Sequence, residues 1–515
     1  MKLPITGVLL DDFRRLLDAR LGLNFDESRS GQLSEVFTAR LAATGYDAQS
    51  YLGYLESVRA EGEWTEVAQN VTIGETYFFR HAQQFEAFRE ILSSAPGREP
   101  GWPRVLSAGC ASGEEAYSIA IMAREIVPDR KPSIVAVDVN RASLDRAKAG
   151  CYSPWSLRET PEPVARRWFR SKGRDFVLDP AIRGDVSFRI ANLASDDLTV
   201  FGFERYDVIF CRNVLMYFST EACRQAVQRL TRALAPGGFL FMGSAETLRG
   251  ISQDYDLCQT RDAFYYQVKS PERRGLRSDA RAADWQSAAG QDWVLAIGRA
   301  AARVAQLSAG KPSAPSACVS GETFGAACPA VVAPALAPHG SLDVHPAVRS
   351  DLRESFAFLE REQFSRALGA VRALPAHAEE DPDVLLIEGM LLASDGKFVE
   401  AERVSRRLLE LDGLNAGAHY VLGLCDAGGG MLEPAVRHHR VAAYLDPEFA
   451  MPHLQLGLLL QRTGEAREAE LALRHARALL ERENAARLLM FGGGFKRAAL
   501  LEICSAELSR LGGLS

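Results

Sequence analysis

No apolar run in this sequence approaches the ~20 residues needed to cross a bilayer. The N-terminus, MKLPITGVLL, lacks the longer apolar core of a secretory signal. Membrane insertion is therefore not expected, and a cytoplasmic protein is. Cysteines are sparse: nine in 515 residues, none in a C-x-x-C pair and none spaced with histidine as zinc ligands are. That excludes a disulfide framework and a zinc module, and leaves free thiols in a reducing compartment with no metal expected. There is no excess of positive charge either. The net charge is −6, so nucleic acid is not an expected partner. Apolar content of 47% and charged content of 24% are those of a globular protein, and the length suits about two to four domains.

What is present centres on Arg104–Ser118, RVLSAGCASGEEAYS. The apolar run Val105–Ala108 reads as a buried parallel strand, a Gly109-x-x-x-Gly113 turn follows, and a helix opens at Glu114. Such a unit presents backbone N–H groups to a ligand at the carboxyl edge of an α/β sheet. The full G-x-G-x-x-G fingerprint is missing, and Glu114 and Glu115 stand where a pyrophosphate would want no negative charge. Acids there suit a ligand carrying positive charge, such as S-adenosylmethionine (SAM) with its ammonium and sulfonium. The same pattern also serves as an ordinary strand-to-helix turn.

Around this unit the chain alternates. Helices are predicted over Val8–Leu21, Leu33–Leu41, Ala48–Val58 and Trp64–Val71 from apolar spacing. Residues 1–70 carry seven Lys and Arg against eleven Asp and Glu, a balance of −4. An aromatic trio, Tyr77-Phe78-Phe79, precedes Arg80 and a helix over His81–Leu92. Buried guanidinium groups are costly without a partner, so Arg80 must meet water or an anion. Strands follow at Ile134–Val137, Val186–Leu193, Tyr206–Cys211 and Phe239–Met242, with a last one at Ala263–Val268. The helix Glu221–Leu234 is read as closed by Pro236-Gly237-Gly238. A mostly parallel sheet covered by helices on both faces results. Asp138 ends the second strand 29 residues after Gly109, where an acid binds ribose hydroxyls or caps the next helix. Gly109, Glu115, Asp138, Asn192, Asn213 and Tyr217 all fall at or just past strand C-termini, the edge at which open α/β sheets hold ligands.

Four segments, GETYFFR (Gly74–Arg80), CASGEEAYSIA (Cys110–Ala120), DVNRASLDRAKAGCY (Asp138–Tyr152) and FCRNVLMYF (Phe210–Phe218), resemble the chemotaxis-receptor glutamate O-methyltransferases, the CheR family. Asn192-Leu193 and GGFLFMGSAE fit as well. The resemblance covers residues 1–268 and implies a helical domain over 1–69. A Rossmann-like SAM-dependent methyltransferase domain over 70–268 follows, with a small antiparallel β insertion at 150–185. It implies SAM contacts at Thr76, Arg80, Glu115, Asp138, Asn192, Leu193, Asn213 and Val214. Arg80 and Tyr217 are placed beside the transferred methyl group, with S-adenosylhomocysteine (SAH) as product. The substrate implied is a glutamate on the cytoplasmic helices of a chemoreceptor. This sequence departs from the family at Gly74, usually Asn, at Ala111-Ser112, usually Ser-Thr, and in its acidic N-terminal region. Arg40 fits a family arginine, but the basic neighbours of the family are missing.

Residues 269–345 read as a flexible linker, with an Arg-rich patch at Arg273–Arg281, a helix over Trp285–Leu307, and then a run rich in Ala, Pro, Ser and Gly. Beyond it, Gly389, Gly423 and Gly457 recur every 34 residues, as do Ala367, Ala401, Ala435 and Ala469. That period, with small residues where helices pack, resembles tetratricopeptide (TPR) repeats over 346–483, the first degenerate because Ser355 replaces glycine. Such a helical solenoid presents a concave face for an unknown protein partner. Residues 484–515 read as a helical cap. The fold class expected is thus multidomain: all-α, then α/β, then an α-helical TPR solenoid. A scaffold with a weak or inactive methyltransferase-like domain is the alternative.

Overall fold

The computed structural model describes residues 7–25, 29–94, 103–128, 131–195, 198–201, 206–244, 246–260, 263–269, 347–359, 361, 363–375, 380–493 and 495–512. The linker, with its Arg-rich patch and the helix expected over Trp285–Leu307, lies outside the described residues, as do Cys318 and Cys328. The chain divides into two compact units, residues 1–288 and 289–515.

The first unit opens with helices α1 (Gly7–Leu21), α2 (Ser30–Thr44), α3 (Ala48–Leu55) and α4 (Glu61–Val71). Phe13, Phe37 and Tyr51 meet in their shared core, with ring centroids 4.8–6.5 Å apart. The third helix stops at Leu55 rather than Val58, because Ser57 turns extended and the Trp64 indole donates to the Leu55 carbonyl at 3.0 Å. Arg40 does not face solvent as a free cation. It forms a bidentate pair with the buried Glu63 at 2.8 and 2.7 Å, and the Tyr51 hydroxyl donates to the same carboxylate at 2.7 Å. That network locks α2 to α4 and leaves Arg40 a structural residue.

Helix α5 (Ala82–Ser93) leads into the sheet. In chain order the elements are β1 (Arg104–Ala108), α6 (Glu114–Ile126), β2 (Ser133–Asp138), α7 (Arg141–Ala149), β3 (Cys151–Tyr152), α8 (Glu162–Trp168), β4 (Phe169–Lys172) and β5 (Asp175–Leu178). Then come α9 (Pro180–Arg183), β6 (Val186–Ile190), α10 (Leu198–Phe201), β7 (Tyr206–Cys211), α11 (Thr220–Ala233), β8 (Leu234–Met242), β9 (Tyr255–Thr260) and β10 (Ala263–Val268). The main sheet runs β6-β2-β1-β7-β8-β10-β9, and β3-β5-β4 form a small antiparallel sheet within residues 151–178. The first five strands in that order are parallel, while β10 and β9 run antiparallel at the edge. Strand order reverses between β1 and β7, which opens a crevice at their carboxyl ends.

Three sequence expectations change here. The third parallel strand ends at Ile190 rather than Leu193, because the Asn192 side chain accepts from Ala194 N at 2.8 Å and turns the chain. Pro236-Gly237-Gly238 does not close α11 but lies inside β8: Tyr206 pairs with Leu234 and Val208 with Phe239, so Ala235–Gly238 bulge out of the ladder. And β9 was not expected at all. Its YDLCQT sequence alternates too weakly to announce a strand, and pairing with β10 creates it.

The second unit is a stack of helix hairpins: α12 (Ala347–Leu359) with α13 (Phe364–Arg372), α14 (Pro382–Ser394) with α15 (Phe398–Leu411), α16 (Ala416–Gly428) with α17 (Leu432–Leu445), and α18 (Ala450–Thr463) with α19 (Ala466–Arg482). A short α20 (Ala485–Phe491) and α21 (Arg497–Gly512) follow. The repeating glycine explains the packing. A Cβ on Gly389 would come 3.0 Å from Ser405 Oγ, on Gly423 2.6 Å from the His439 ring, and on Gly457 2.5 Å from Leu473. Each first helix therefore touches the residue at one recurring place on its second helix, and that residue sets the spacing.

His439 is fully buried there, and neither ring nitrogen has a hydrogen-bond partner. Burial, helped by His438, holds its pKa down to about 3, and burial also lowers His419 to about 3 and His438 and His453 to about 4. The unfolded chain takes up protons near pH 6.5 and the folded repeats only near pH 3–4. The destabilisation these histidines cause is therefore absent above pH 6.5 and grows as the pH drops toward 4. His439→Leu, copying Leu473 one repeat later, should raise the melting temperature of the helical unit by several degrees at pH 7. It should also flatten the loss measured by circular dichroism between pH 6.5 and 4.

Candidate functional site

The crevice between β1 and β7 opens into a cavity. All nine residues expected from sequence line it: Thr76 and Arg80 from the loop before α5, Glu115 from the first turn of α6, and Asp138 from the end of β2. Asn192 and Leu193 come from beyond β6, and Asn213, Val214 and Tyr217 from beyond β7. They lie far apart in sequence and are brought together because consecutive parallel strands end at one edge.

The floor depends on close backbone approach. Gly109 has φ of +79°, and a Cβ there would sit 2.3 Å from Val214 Cγ2. Non-glycine residues with positive φ among those described are Phe79, His81, Ala111 and Asn213. Two line the cavity and two flank Arg80 in sequence, so the strained backbone gathers around one site. Asn213 is held by the Glu246 carboxylate, which accepts from Asn213 N at 2.7 Å, Val214 N at 2.9 Å, Met216 N at 3.0 Å and Gly243 N at 2.8 Å.

Charges are arranged in pairs. Asp138 accepts Ala111 N at 2.8 Å on one oxygen and Asn140 N at 2.7 Å on the other, while burial pushes its pKa up. Each oxygen retains a lone pair for a ligand hydroxyl. Glu115 accepts the Ser107 hydroxyl at 2.7 Å and lies 3.6 Å from Arg212 Nη1; burial raises its pKa and the Arg212 charge opposes that rise. Arg212, 6% exposed, donates through Nη2 to the Arg80 carbonyl and meets His81 Nδ1 at 3.2 Å. Its Nε and Nη1 have no hydrogen-bond partner, and burial lowers its pKa. Neutral imidazole is required for that contact, and burial with the two arginine charges brings the His81 pKa down to about 4. Arg80 donates to the Glu75 carbonyl at 3.1 Å and faces the Tyr77 ring at 5.7 Å.

The N-terminal helices form one wall. Leu21, Leu23 and Arg29 line the cavity, Leu23 bridges Phe218 as an isolated antiparallel pair, and Asn24 N donates to the Tyr217 carbonyl at 2.8 Å. The Asn192 amide donates to the Arg20 carbonyl at 2.8 Å, so its side chain joins the two parts of the unit as well as bordering the cavity.

Arg212, Glu246 and the wall residues Leu21, Leu23 and Arg29 were not among the sequence candidates. Arg212 gave a signal, a charged residue directly after the apolar run Val208–Cys211, and Glu246 gave little, because three of its four backbone partners lie some thirty residues upstream.

A family model for the CheR methyltransferase SAM-binding domain matches residues 74–264. The chain is 30% identical to "Chemotaxis protein methyltransferase Cher2" of Pseudomonas putida, over 51% of this chain and 99% of that protein. It is 32% identical to "Chemotaxis protein methyltransferase 2" of Vibrio cholerae, over 54% of this chain and 99% of that one. "Probable biofilm formation methyltransferase WspC" of Pseudomonas aeruginosa aligns at 26% identity over 88% of this chain and 95% of that protein. Among solved structures, the TPR protein TTC0263 of Thermus thermophilus is similar at 22% identity and a TM-score of 0.25, covering 32% of this chain and 90% of that one.

The contrast between two cavity glycines is testable. Gly109→Ala forces a Cβ into Val214 at a positive φ and should destabilise the first unit by about 1–3 kcal/mol. Gly74→Ala meets only Ser143 Oγ at 3.5 Å and should stay within about 0.5 kcal/mol of the parent. Urea titrations of both variants check this.

Proposed function

This chain belongs to the CheR methyltransferase family, and on that premise we propose that it methylates glutamate side chains of a chemoreceptor, giving glutamate methyl esters and SAH. The observation that carries the reading is the cavity at the strand switch, lined together by Glu115, Arg212, Arg80 and Tyr217, with Arg212 Nη1 3.6 Å from Glu115 and neither Nη1 nor Nε of Arg212 making a hydrogen bond. An amino-acid head group has one ammonium and one carboxylate. Glu115 suits the first, and Arg212, whose buried Nε and Nη1 make no hydrogen bond, suits the second. Asp138 suits the ribose hydroxyls through its remaining lone pairs. Thr76, Asn192, Leu193, Asn213 and Val214 wall the space between. The residues present therefore fit SAM, which when bound supplies an electrophilic methyl group.

The chain's own task is then positioning. A glutamate carboxylate is ionised at neutral pH, its ordinary pKa being about 4.3, so no general base is needed. Arg80 receives that carboxylate as it leaves water, and the Tyr217 hydroxyl orients it. Glu246 holds the loop on which Tyr217 stands, through three of its backbone amides. In this reading residues 1–69 and 70–268 form the enzyme, and the repeats over 346–483 recruit it to a signalling complex or restrain it there. An alignment with one relative that spans both halves supports treating them as one functional chain.

Incubation with methyl-labelled SAM and membranes bearing chemoreceptors should place a base-labile label on receptor protein. Absence of label, or label stable to base, would overturn the assignment. Arg80→Ala should reduce the transfer rate at least about 10²-fold without shifting the melting temperature, and Tyr217→Phe should lower kcat by about tenfold or more. Single-turnover rates beside thermal melts separate loss of chemistry from loss of fold.

A further inference from the structure

The helical array already holds an occupant, and it is its own. The first helices of successive hairpins approach one another, α14 lying against α16, and form the inner wall of the solenoid. Helix α20 does not extend the stack. It turns back across that wall, touching α14 two hairpins earlier and meeting Tyr420 of α16. The Tyr420 hydroxyl donates to the Phe491 carbonyl at 3.1 Å. The Phe491 ring stands 5.5 Å from Tyr420, edge-on, and 4.9 Å from Phe449 at the entry to α18. One turn earlier, Arg487 is buried between Asp446 at 3.0 Å and Glu483 at 3.5 Å, with its guanidinium 5.2 Å from the Phe449 ring. Leu488 and Met490 are buried in the same core.

Stacking does not need this segment. Helix α21 packs directly on α19 and takes the next place in the array, so the end of the solenoid is closed without α20. Seven residues also make too short a helix to hold itself together, since isolated helices below about 12 residues are marginal in water. Helix α20 is therefore formed by its seat, as a bound peptide is.

We propose that the inner wall of the repeats is a peptide-binding groove for a partner segment with arginine followed four residues later by phenylalanine and aliphatic residues between. Residues 485–491 act as the internal stand-in that such a partner displaces. Asp446 and Glu483 read the arginine, and Tyr420 and Phe449 read the aromatic ring and the carbonyl beside it. Partner binding and release of α20 are one exchange. This inference rests on the second unit alone and stands whether or not the methyl-transfer reading does.

The test uses the full chain and a fluorescein-labelled peptide spanning residues 481–495, followed by anisotropy. The parent chain should bind weakly, because the seat is filled. The variant Leu488→Ala with Phe491→Ala, which loosens the resident segment, should bind at least tenfold more tightly. A peptide carrying Arg487→Glu should lose that gain, and so should a receiving chain that also carries Tyr420→Ala. Equal binding by parent and loosened chain, with helix content retained, would overturn the proposal. So would a stable dimer in which α20 is exchanged between copies. If the loosened variant loses helix content, hydrogen exchange on the parent chain decides. Excess unlabelled peptide should speed exchange of the 485–491 amides at least threefold, and an unchanged rate would sink the idea.

Discussion

One buried carboxylate sets the geometry of the catalytic half. Glu246 collects four backbone amides, from Gly243 and from Asn213, Val214 and Met216 on the neighbouring loop. Those amides point inward at the end of β7, where no ladder partner exists, and each would be costly left unmet. With them satisfied by one side chain, Asn213 can stay at φ of +57° and Val214 can press against Gly109. The crevice between β1 and β7 is open because the loop beyond β7 is fastened from beneath rather than by its neighbour across the cavity.

A second layer of fastening comes from charge. Arg212 stands between the Glu115 carboxylate at the start of α6 and the Arg80–His81 segment before α5, two parts of the chain that have no reason of their own to meet. A buried guanidinium of this kind contributes little net stability, but it allows few alternative arrangements. Removing it would leave Glu115 uncompensated in an apolar setting, and burial already pushes that carboxyl upward. Strain at Phe79 and His81 on either side of Arg80 belongs to the same constraint.

Much of this was readable in the residues, for definite reasons. The turn at Gly109 was visible because glycine, two acids and an apolar run sit next to one another in sequence. The hairpin array was visible because its glycines and alanines keep a 34-residue register, and the helices follow that register through to Arg482. The sites of Gly109, Glu115, Asp138, Asn192, Asn213 and Tyr217 at strand ends followed from the parallel order of strands, and all six border one cavity. What could not be read was set by distant partners. Arg40 could be matched to a family arginine, but nothing near it in sequence announced that Glu63 and Tyr51 enclose it. Pro236-Gly237-Gly238 carries the local signature of a stop, yet β8 runs through it and takes up the surplus as a bulge against β7. Helix α20 has no periodicity long enough to register and owes its form to Tyr420, Phe449 and Asp446.

The wall supplied by Leu21, Leu23 and Arg29 carries a consequence for how such a chain can change over time. Among the described residues, those that border the cavity run from Leu21 to Phe218, and the opening helices with the loop after α1 supply Leu21, Leu23 and Arg29. They share backbone pairing with the loop that bears Tyr217, so a lineage that exchanged them for another module would have to rebuild that loop in the same step.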